Sequence, residues 1–131
     1  MNTSLQLPDQ QPALRLVPMP AELNPAGDVF GGWVMSHLDM AGAIPAFRRA
    51  RGRVVTVAVN TLQFRQPIAV GDLVSFYAEI IRVGETSITV QVDVYAERNP
   101  KNPVIVKVTD AQLTYVAVDK QGKKRPLPPE L

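Results

Sequence analysis

The sequence predicts an α+β fold in which a curved antiparallel β-sheet wraps around one long central helix. Two observations lead to this prediction. A mainly apolar helical segment covers residues 31–49, and about four β-rich segments separated by turn signals follow it. Because a helix that is apolar over most of its surface needs cover on most sides, a sheet wrapped around it fits this order of elements.

Prolines punctuate the segment that precedes the helix. They are Pro8, Pro12, Pro18 and Pro20. This spacing leaves residues 13–17 as a short strand and residues 21–29 as a loop. Asp28, just before the helix, is predicted to cap its first turn.

The helix is predicted to begin at the pair Gly31-Gly32 and to end near Arg49. Pro45 lies inside it and lacks an amide donor, so the last turns should kink or thin. Gly52 follows as a plausible stop signal.

The β-rich segments differ in how their apolar residues alternate. They are predicted at residues 54–64, 73–83, 88–96 and 104–118. The first is apolar on both faces, which is typical of a strand buried on two sides. Gly84-Glu85 reads as a hairpin turn, and the third segment alternates cleanly between apolar and polar positions. The apolar phase of the last segment slips near Asp110-Ala111, which suggests a bulge.

Length and composition bound the class of protein. The 131 residues are 46% hydrophobic and 20% charged, which predicts one globular domain over residues 1–131 with flexible ends at 1–12 and 120–131. No apolar run approaches the ~20 residues of a membrane span. The first residues lack the pattern of a secretory signal. The absence of cysteine excludes disulfides and cysteine nucleophiles and favours a cytoplasmic location.

The basic residues form two clusters although the net charge is only +2. One cluster follows the helix and the other lies in the C-terminal tail: Arg48, Arg49, Arg51, Arg53, Lys120, Lys123, Lys124 and Arg125. Neither contains an aromatic residue, which argues against a nucleic-acid partner. A phosphate-bearing ligand suits them better, although solvated surface is the alternative for each residue.

The start of the helix suggests carbonyl chemistry. Gly31 and Gly32 have no side chains, so the free amides of the first turn can approach a substrate oxygen and hold an oxyanion. Asp39 stands two turns further on an apolar helix, on one stripe with Gly32 and Met35 by the i, i+3, i+7 spacing. A carboxylate there needs partners or a task. The alternative is an acid that bridges to a neighbouring strand.

The length of the helix argues for a site shared by two subunits. Seven residues at 1.5 Å each put roughly 10 Å between Gly32 and Asp39 along one helix. A single reacting carbon needs both the oxyanion donor and the acid within about 3 Å. We therefore expect Asp39 of one subunit to face the glycine pair and Asn24 of another.

The sequence resembles a known family in four ordered stretches covering roughly residues 14–128. The stretches are Asn24-x-x-Gly27-Asp28-x-Phe30-Gly31-Gly32-Trp33-x-Met35-x-x-x-Asp39, Gly52-Arg53-Val54-Val55-Thr56-Val57, Pro67-x-x-Val70-Gly71-Asp72 and Val116-Ala117-Val118-Asp119. They resemble the hotdog-fold acyl-CoA thioesterases of the YciA and brain acyl-CoA hydrolase type. The resemblance implies a hotdog fold, dimers that pair their sheets and often form hexamers, and hydrolysis of acyl-CoA to free acid and coenzyme A in fatty acid metabolism.

The resemblance also implies roles for individual residues. Asp39 matches the catalytic acid, Asn24 its partner from the opposite subunit, and Gly31 and Gly32 the amides that polarise the thioester carbonyl. The CoA-binding positions it implies are Arg53, Arg82, Ser87, Lys123 and Arg125. No metal or cofactor is implied, because coenzyme A belongs to the substrate.

Two departures from the family pattern and two rival functions stay open. Pro25-Ala26 stands where members often carry Ala-Asn, and Pro45 lies where they usually have no proline. One rival function is a non-catalytic acyl-CoA-binding protein on the same scaffold. The other is a hotdog dehydratase, which would have a histidine on the turn that here holds Phe30. The only histidine, His37, lies off the Asp39 stripe and is predicted to be a surface or interface residue.

Overall fold

The computed structural model describes residues 5–131 and contains one long helix packed against a five-stranded antiparallel sheet. The elements in chain order are β1 Leu14–Leu16, a short 3₁₀ helix Pro20–Glu22, α1 Gly31–Ala50, β2 Val54–Phe64, β3 Leu73–Val83, β4 Ser87–Arg98 and β5 Val104–Ala117. The spatial order of the strands is β1-β3-β4-β5-β2, so β1 and β2 are the two edges. The predicted fold class and element order are confirmed.

The core lies between α1 and the sheet. Alternate residues of β4 have no exposed surface: Ile88, Val90, Val92, Val94 and Ala96. They meet buried α1 residues that recur at helical spacing, among them Val34, Leu38 and Ala41. The alternation predicted for this strand therefore places one face in the core.

α1 begins at Gly31 and ends within one residue of the predicted position, but the residues that cap it differ from the prediction. The helix begins after Phe30 with no side-chain cap, so the prediction that Asp28 caps it is wrong. Asp28 instead pairs its backbone with Ala69. At the other end Arg51 adopts the left-handed conformation (φ 49°) that usually favours glycine. The helix runs through Pro45 to Ala50.

The absence of a side chain at position 52 is explained by a close contact and not by the backbone conformation of Gly52. A Cβ at Gly52 would lie 2.8 Å from Nη2 of Arg125. That guanidinium donates to the Ala50 carbonyl at 2.9 Å and satisfies an orphan acceptor in the last helical turn.

Two predictions about the strands need correction. The bulge in β5 falls at Val108, where the register passes from Val94↔Thr109 to Tyr95↔Lys107, and not at Asp110-Ala111. The prediction that β2 is buried on both faces is wrong within one chain. β2 is an edge strand, and its Val57 and Val59 are 53% and 50% exposed.

The C-terminal segment is hydrogen-bonded to the body of the domain. Leu127 N–H donates to Glu85 O at 2.9 Å, and Arg49 Nη1 donates to Pro128 O at 2.5 Å. These contacts oppose the expectation of a flexible end at 120–131, which stays a prediction. Residues 1–4 of the expected N-terminal flexible segment lie outside the described residues.

Candidate active site

Asp39 lies in the wall of an apolar cavity of about 390 Å³. Gly32, Met35 and Ser36 line the same cavity, so the stripe inferred from helical spacing is confirmed. The opposite wall is supplied by strands β2 and β5 and is mostly apolar: Thr56, Val59, Leu62, Ala111 and Leu113. The cavity therefore combines one carboxylate with space for a hydrocarbon group.

Two hydroxyl groups of the sheet hold Asp39. Thr56 Oγ1 on β2 donates to Oδ1 of Asp39 at 2.5 Å. Tyr115 Oη on β5 donates to the main-chain oxygen of Asp39 at 2.8 Å. Burial, with an added contribution from the nearby Asp39 charge, raises the pKa of Tyr115, so the phenol stays protonated and remains a donor at neutral pH.

Neither hydroxyl residue was assigned a role in the site from the sequence alone. The sequence contains a weak indication for Thr56, which is the one residue with a hydroxyl group in the mainly valine run that begins β2. Tyr115 lies 76 residues beyond Asp39, and only the register of β5 brings it under the helix. No local pattern could have revealed that contact.

Asn24 lies in a different cavity, of about 340 Å³, together with Gly31. Its Oδ1 accepts the amides of Ala26 at 2.9 Å and Asp28 at 3.1 Å. The side chain thereby folds the loop before α1 into an Asx turn and leaves its NH₂ group as the part that can face a ligand. Within one chain, the structure does not bring Asn24 and Asp39 into one cavity.

The loop that carries Asn24 is fixed by its neighbour, residues 65–72. Val29 N–H donates to Ile68 O at 2.9 Å. Asp72, which is buried, accepts the Ala69 amide at 2.9 Å and Arg98 Nη2 at 2.8 Å. A charge-assisted pair therefore holds the loop against which the start of α1 rests.

The first turn of α1 is open to a ligand. Neither Gly31 N–H nor Gly32 N–H has a hydrogen-bond partner among residues 5–131. A Cβ at Gly32 would meet nothing within 4 Å, and one at Gly31 would lie 3.5 Å from the Phe64 ring. These amides can therefore donate to an oxygen that approaches from outside the chain.

The expected CoA-binding residues fall in two places. Arg53 and Arg125 line one cavity of about 400 Å³, together with Arg51 and Lys120. Arg125 is also tied to main-chain oxygens through Nε to Val118 O and Nη2 to Ala50 O, each at 2.9 Å. Lys123 lies exposed on the adjacent turn, which Asp119 closes by accepting the Lys123 amide at 3.0 Å.

Arg82 and Ser87 lie elsewhere, at the β3–β4 hairpin. Arg82 is exposed beside a register shift in β3. Neither residue lines the cavity that Arg53 and Arg125 share. The structure thus brings together two of the five expected residues, and the assignment of the set to CoA stays a prediction.

His37 has a local role. Its Nδ1 lies 2.7 Å from the Trp33 carbonyl, to which it donates, and its ring lies 4.3 Å from that of Trp33. It does not line the Asp39 cavity. Among residues 5–131, no three His, Cys, Asp or Glu side chains are grouped as a metal site would need, and no helix is long and apolar enough to cross a membrane.

Comparison with known proteins agrees with this architecture. The family profile described as the Thioesterase superfamily matches residues 26–102. The fold is similar to Cj0915, a hexameric hotdog fold thioesterase of Campylobacter jejuni, with a TM-score of 0.87 and 42% identity over 91% of each chain. The helix packed on a five-stranded antiparallel sheet, together with these matches, assigns the chain to the hotdog-fold thioesterases.

Sequence relatives narrow the assignment. The chain is 45% identical over 130 residues to the acyl-CoA thioester hydrolase YciA of Salmonella typhimurium, covering 98% of each sequence. It is 44% identical over 132 residues to YciA of Escherichia coli, covering 99% of this chain and all of that sequence. The chain belongs to the YciA family of acyl-CoA thioester hydrolases.

Proposed function

We propose that this protein hydrolyses acyl-CoA thioesters to a free carboxylic acid and coenzyme A. The observation that carries the proposal is the Asp39 carboxylate, held by Thr56 in the wall of an apolar cavity. The relatives named acyl-CoA thioester hydrolases support the same reaction. The reaction needs no separate cofactor, and we expect it to take place in the cytoplasm.

The acid and the oxyanion donors come from different protomers in this proposal. In one chain Asn24 and Gly31 line one cavity, whereas Asp39 lines another to which Gly32 contributes. Because the rise of the helix separates Gly32 from Asp39 by roughly 10 Å, one chain does not place the acid and both donors around a single carbon. β2 is an edge strand with exposed valines, and such an edge can pair with the same strand of a second copy. Solved relatives are hexameric, and we expect a trimer of dimers here.

The proposed chemistry uses Asp39 as a general base. It accepts a proton from water as the oxygen attacks the thioester carbon, and the N–H groups of Gly31 and Gly32 hold the developing oxyanion. Collapse of the intermediate breaks the C–S bond, and the departing thiolate takes the proton back from Asp39. The Asn24 amide, supplied by the partner, orients the water or the carbonyl.

A covalent route uses the same residues. The Asp39 carboxylate attacks the carbon directly, the thiolate leaves, and water then cleaves the mixed anhydride. A rapid-quench mass spectrum separates the two routes, because only the covalent one adds the mass of the acyl group to the enzyme.

The proposal is tested by following release of coenzyme A from a panel of acyl-CoAs with a thiol-reactive dye. The Asp39→Ala variant should lose nearly all turnover and still bind CoA. The Glu79→Gln variant, which changes an exposed acid on β3, serves as the matched control. Wild-type turnover in Asp39→Ala would show that the wrong acid was assigned. Binding without hydrolysis by the unmodified protein would identify a non-catalytic acyl-CoA-binding protein.

A further inference from the structure

The main chain of α1 is held at the residue that carries the acid. In a helix, the carbonyl of Asp39 ordinarily accepts only the amide four residues later. Here it also accepts the hydroxyl of Tyr115 at 2.8 Å. A hydrogen bond from the sheet to this one carbonyl fixes the height and rotation of the helical turn relative to β5.

The helix leaves space for this contact at Gly42. A Cβ there would lie 2.4 Å from the Tyr115 hydroxyl and 3.1 Å from Cζ of its ring. Glycine is unfavourable inside a helix compared with alanine, so its presence in the middle of α1 calls for a reason. The phenol supplies that reason, since no other residue type would let it reach Asp39.

Tyr115 acts together with Thr56. The two are directly opposite each other in the β2–β5 ladder, so their side chains leave the same face of the sheet. One donates to the main chain of Asp39 and the other to its carboxylate. The acid is therefore held at both ends by one cross-strand pair.

We infer that Tyr115, admitted by Gly42, is a positioning residue that sets where the Asp39 carboxylate stands in the active site. The inference rests on the proposed function. Tyr115 is 1% exposed and is not among the residues that line the Asp39 cavity, so it acts through Asp39 and does not touch the substrate. Small displacements of a catalytic group are costly, since about 1 Å can reduce a rate by roughly 100-fold.

The test measures kcat and KM of the full-length protein carrying Tyr115→Phe. The variant Tyr77→Phe is the matched control, because Tyr77 is also buried, at 3% exposed, and its hydroxyl is bound to Arg15 on another part of the sheet. We expect Tyr115→Phe to lower kcat by about tenfold or more with KM within about twofold, and Tyr77→Phe to leave both unchanged. If the role of Tyr115 were purely structural, Tyr115→Phe and Tyr77→Phe would have similar effects on kcat and KM.

A second variant keeps the hydroxyl and moves it. Gly42→Ala should displace the phenol from the Asp39 carbonyl and produce the same fall in kcat at constant KM. It also covers the case in which Tyr115→Phe does not fold. An unchanged kcat in whichever of the two variants folds overturns the inference.

The double variant Asp39→Ala/Tyr115→Phe shows whether the effect passes through the acid. We expect its residual rate to equal that of Asp39→Ala alone, because no acid is left to position. A residual rate below that of Asp39→Ala would mean that Tyr115 has a role that does not pass through Asp39, and would overturn the inference. Failure of the proposed function is recognised separately, because the unmodified protein would then release no coenzyme A. Full turnover in Asp39→Ala refutes the assigned acid, and loss in Asp39→Ala with a wild-type Tyr115→Phe refutes the positioning role alone.

Discussion

Thr56 and Tyr115 face each other across the β2–β5 ladder, and both donate a hydrogen bond to Asp39. The register of the ladder shifts between Thr56 and Ala58. The extra residue shifts the phase of β2, so that Val59 lines the same cavity as Thr56. The position of one carboxylate therefore depends on how two strands pair.

The first prediction concerns the Thr56 hydroxyl. Thr56→Val keeps the shape of the side chain and removes the donor, so the Asp39 carboxylate loses its fixed orientation. We expect kcat to fall by about tenfold with little change in KM, since a group that acts in the transition state is affected. Thr56→Ser keeps the donor and should stay near wild type. A wild-type kcat in Thr56→Val would show that the hydrogen bond to Asp39 does not position the acid, and a loss confined to Thr56→Ser would show that packing of the methyl group matters instead.

The second prediction tests whether each site is built from two protomers. Asn24→Ala and Asp39→Ala should each be nearly inactive as pure assemblies. When equal amounts are co-assembled, half of the dimers are mixed, and each mixed dimer regains one intact site. Activity should therefore return to about a quarter of the wild-type value in a two-fold symmetric dimer.

The same mixture also reveals the opposite arrangement. If Asn24 and Asp39 of one chain served the same site, every chain in the mixture would carry one lesion. The mixture would then be as inactive as its components. Thiol release and a native mass spectrum that confirms mixed assemblies are the two measurements needed.

Local patterns in the sequence predicted most of the fold. The alternation along β4 and the helical stripe from Gly32 to Asp39 both arise from residues close in the chain, and both are confirmed. The cap was predicted wrongly, because Asp28 is drawn into backbone pairing with Ala69, a contact invisible in the local sequence. The apolar pattern of β2 led to the wrong prediction that this strand is buried on both faces within one chain. An apolar pattern indicates that a strand can be covered, but not whether its own chain covers it.

The third prediction concerns the stability of a Gly42→Ala variant. In most helices this change stabilises by about 1 kcal/mol, because alanine is the better helix former. Here the new Cβ would lie 2.4 Å from the Tyr115 hydroxyl in a buried contact. Overpacking of this kind costs about 1–3 kcal/mol. We expect a net loss in the free energy of unfolding, measured by urea titration.

A double variant identifies the source of that loss. Removing the hydroxyl with Tyr115→Phe relieves the shortest contact but leaves the ring carbon at 3.1 Å. The penalty of Gly42→Ala should therefore be smaller in the Tyr115→Phe background. Additive penalties would mean that the alanine is unfavourable for another reason.

The fourth prediction follows from the raised pKa of Tyr115. Burial of the phenol raises this pKa above the ordinary value of 10.0, and the Asp39 carboxylate adds to the effect. Below pH 10 the phenol is protonated in both the folded and the unfolded protein, so the contribution of Tyr115 to stability is fully present. Above pH 10 the unfolded chain loses this proton and the folded protein retains it. The unfolded state then binds fewer protons, and stability falls by up to about 1.4 kcal/mol per pH unit.

Comparison with the Tyr115→Phe variant isolates this contribution from the other groups that titrate at high pH. Both proteins should lose stability in alkali, but the variant should do so less steeply between pH 10 and pH 12, because it has no phenol to ionise on unfolding. Urea midpoints at intervals of half a pH unit provide the two slopes. Parallel slopes would mean that the Tyr115 phenol ionises as readily in the folded protein as in the unfolded chain. Its hydroxyl would then not be a permanent donor to Asp39.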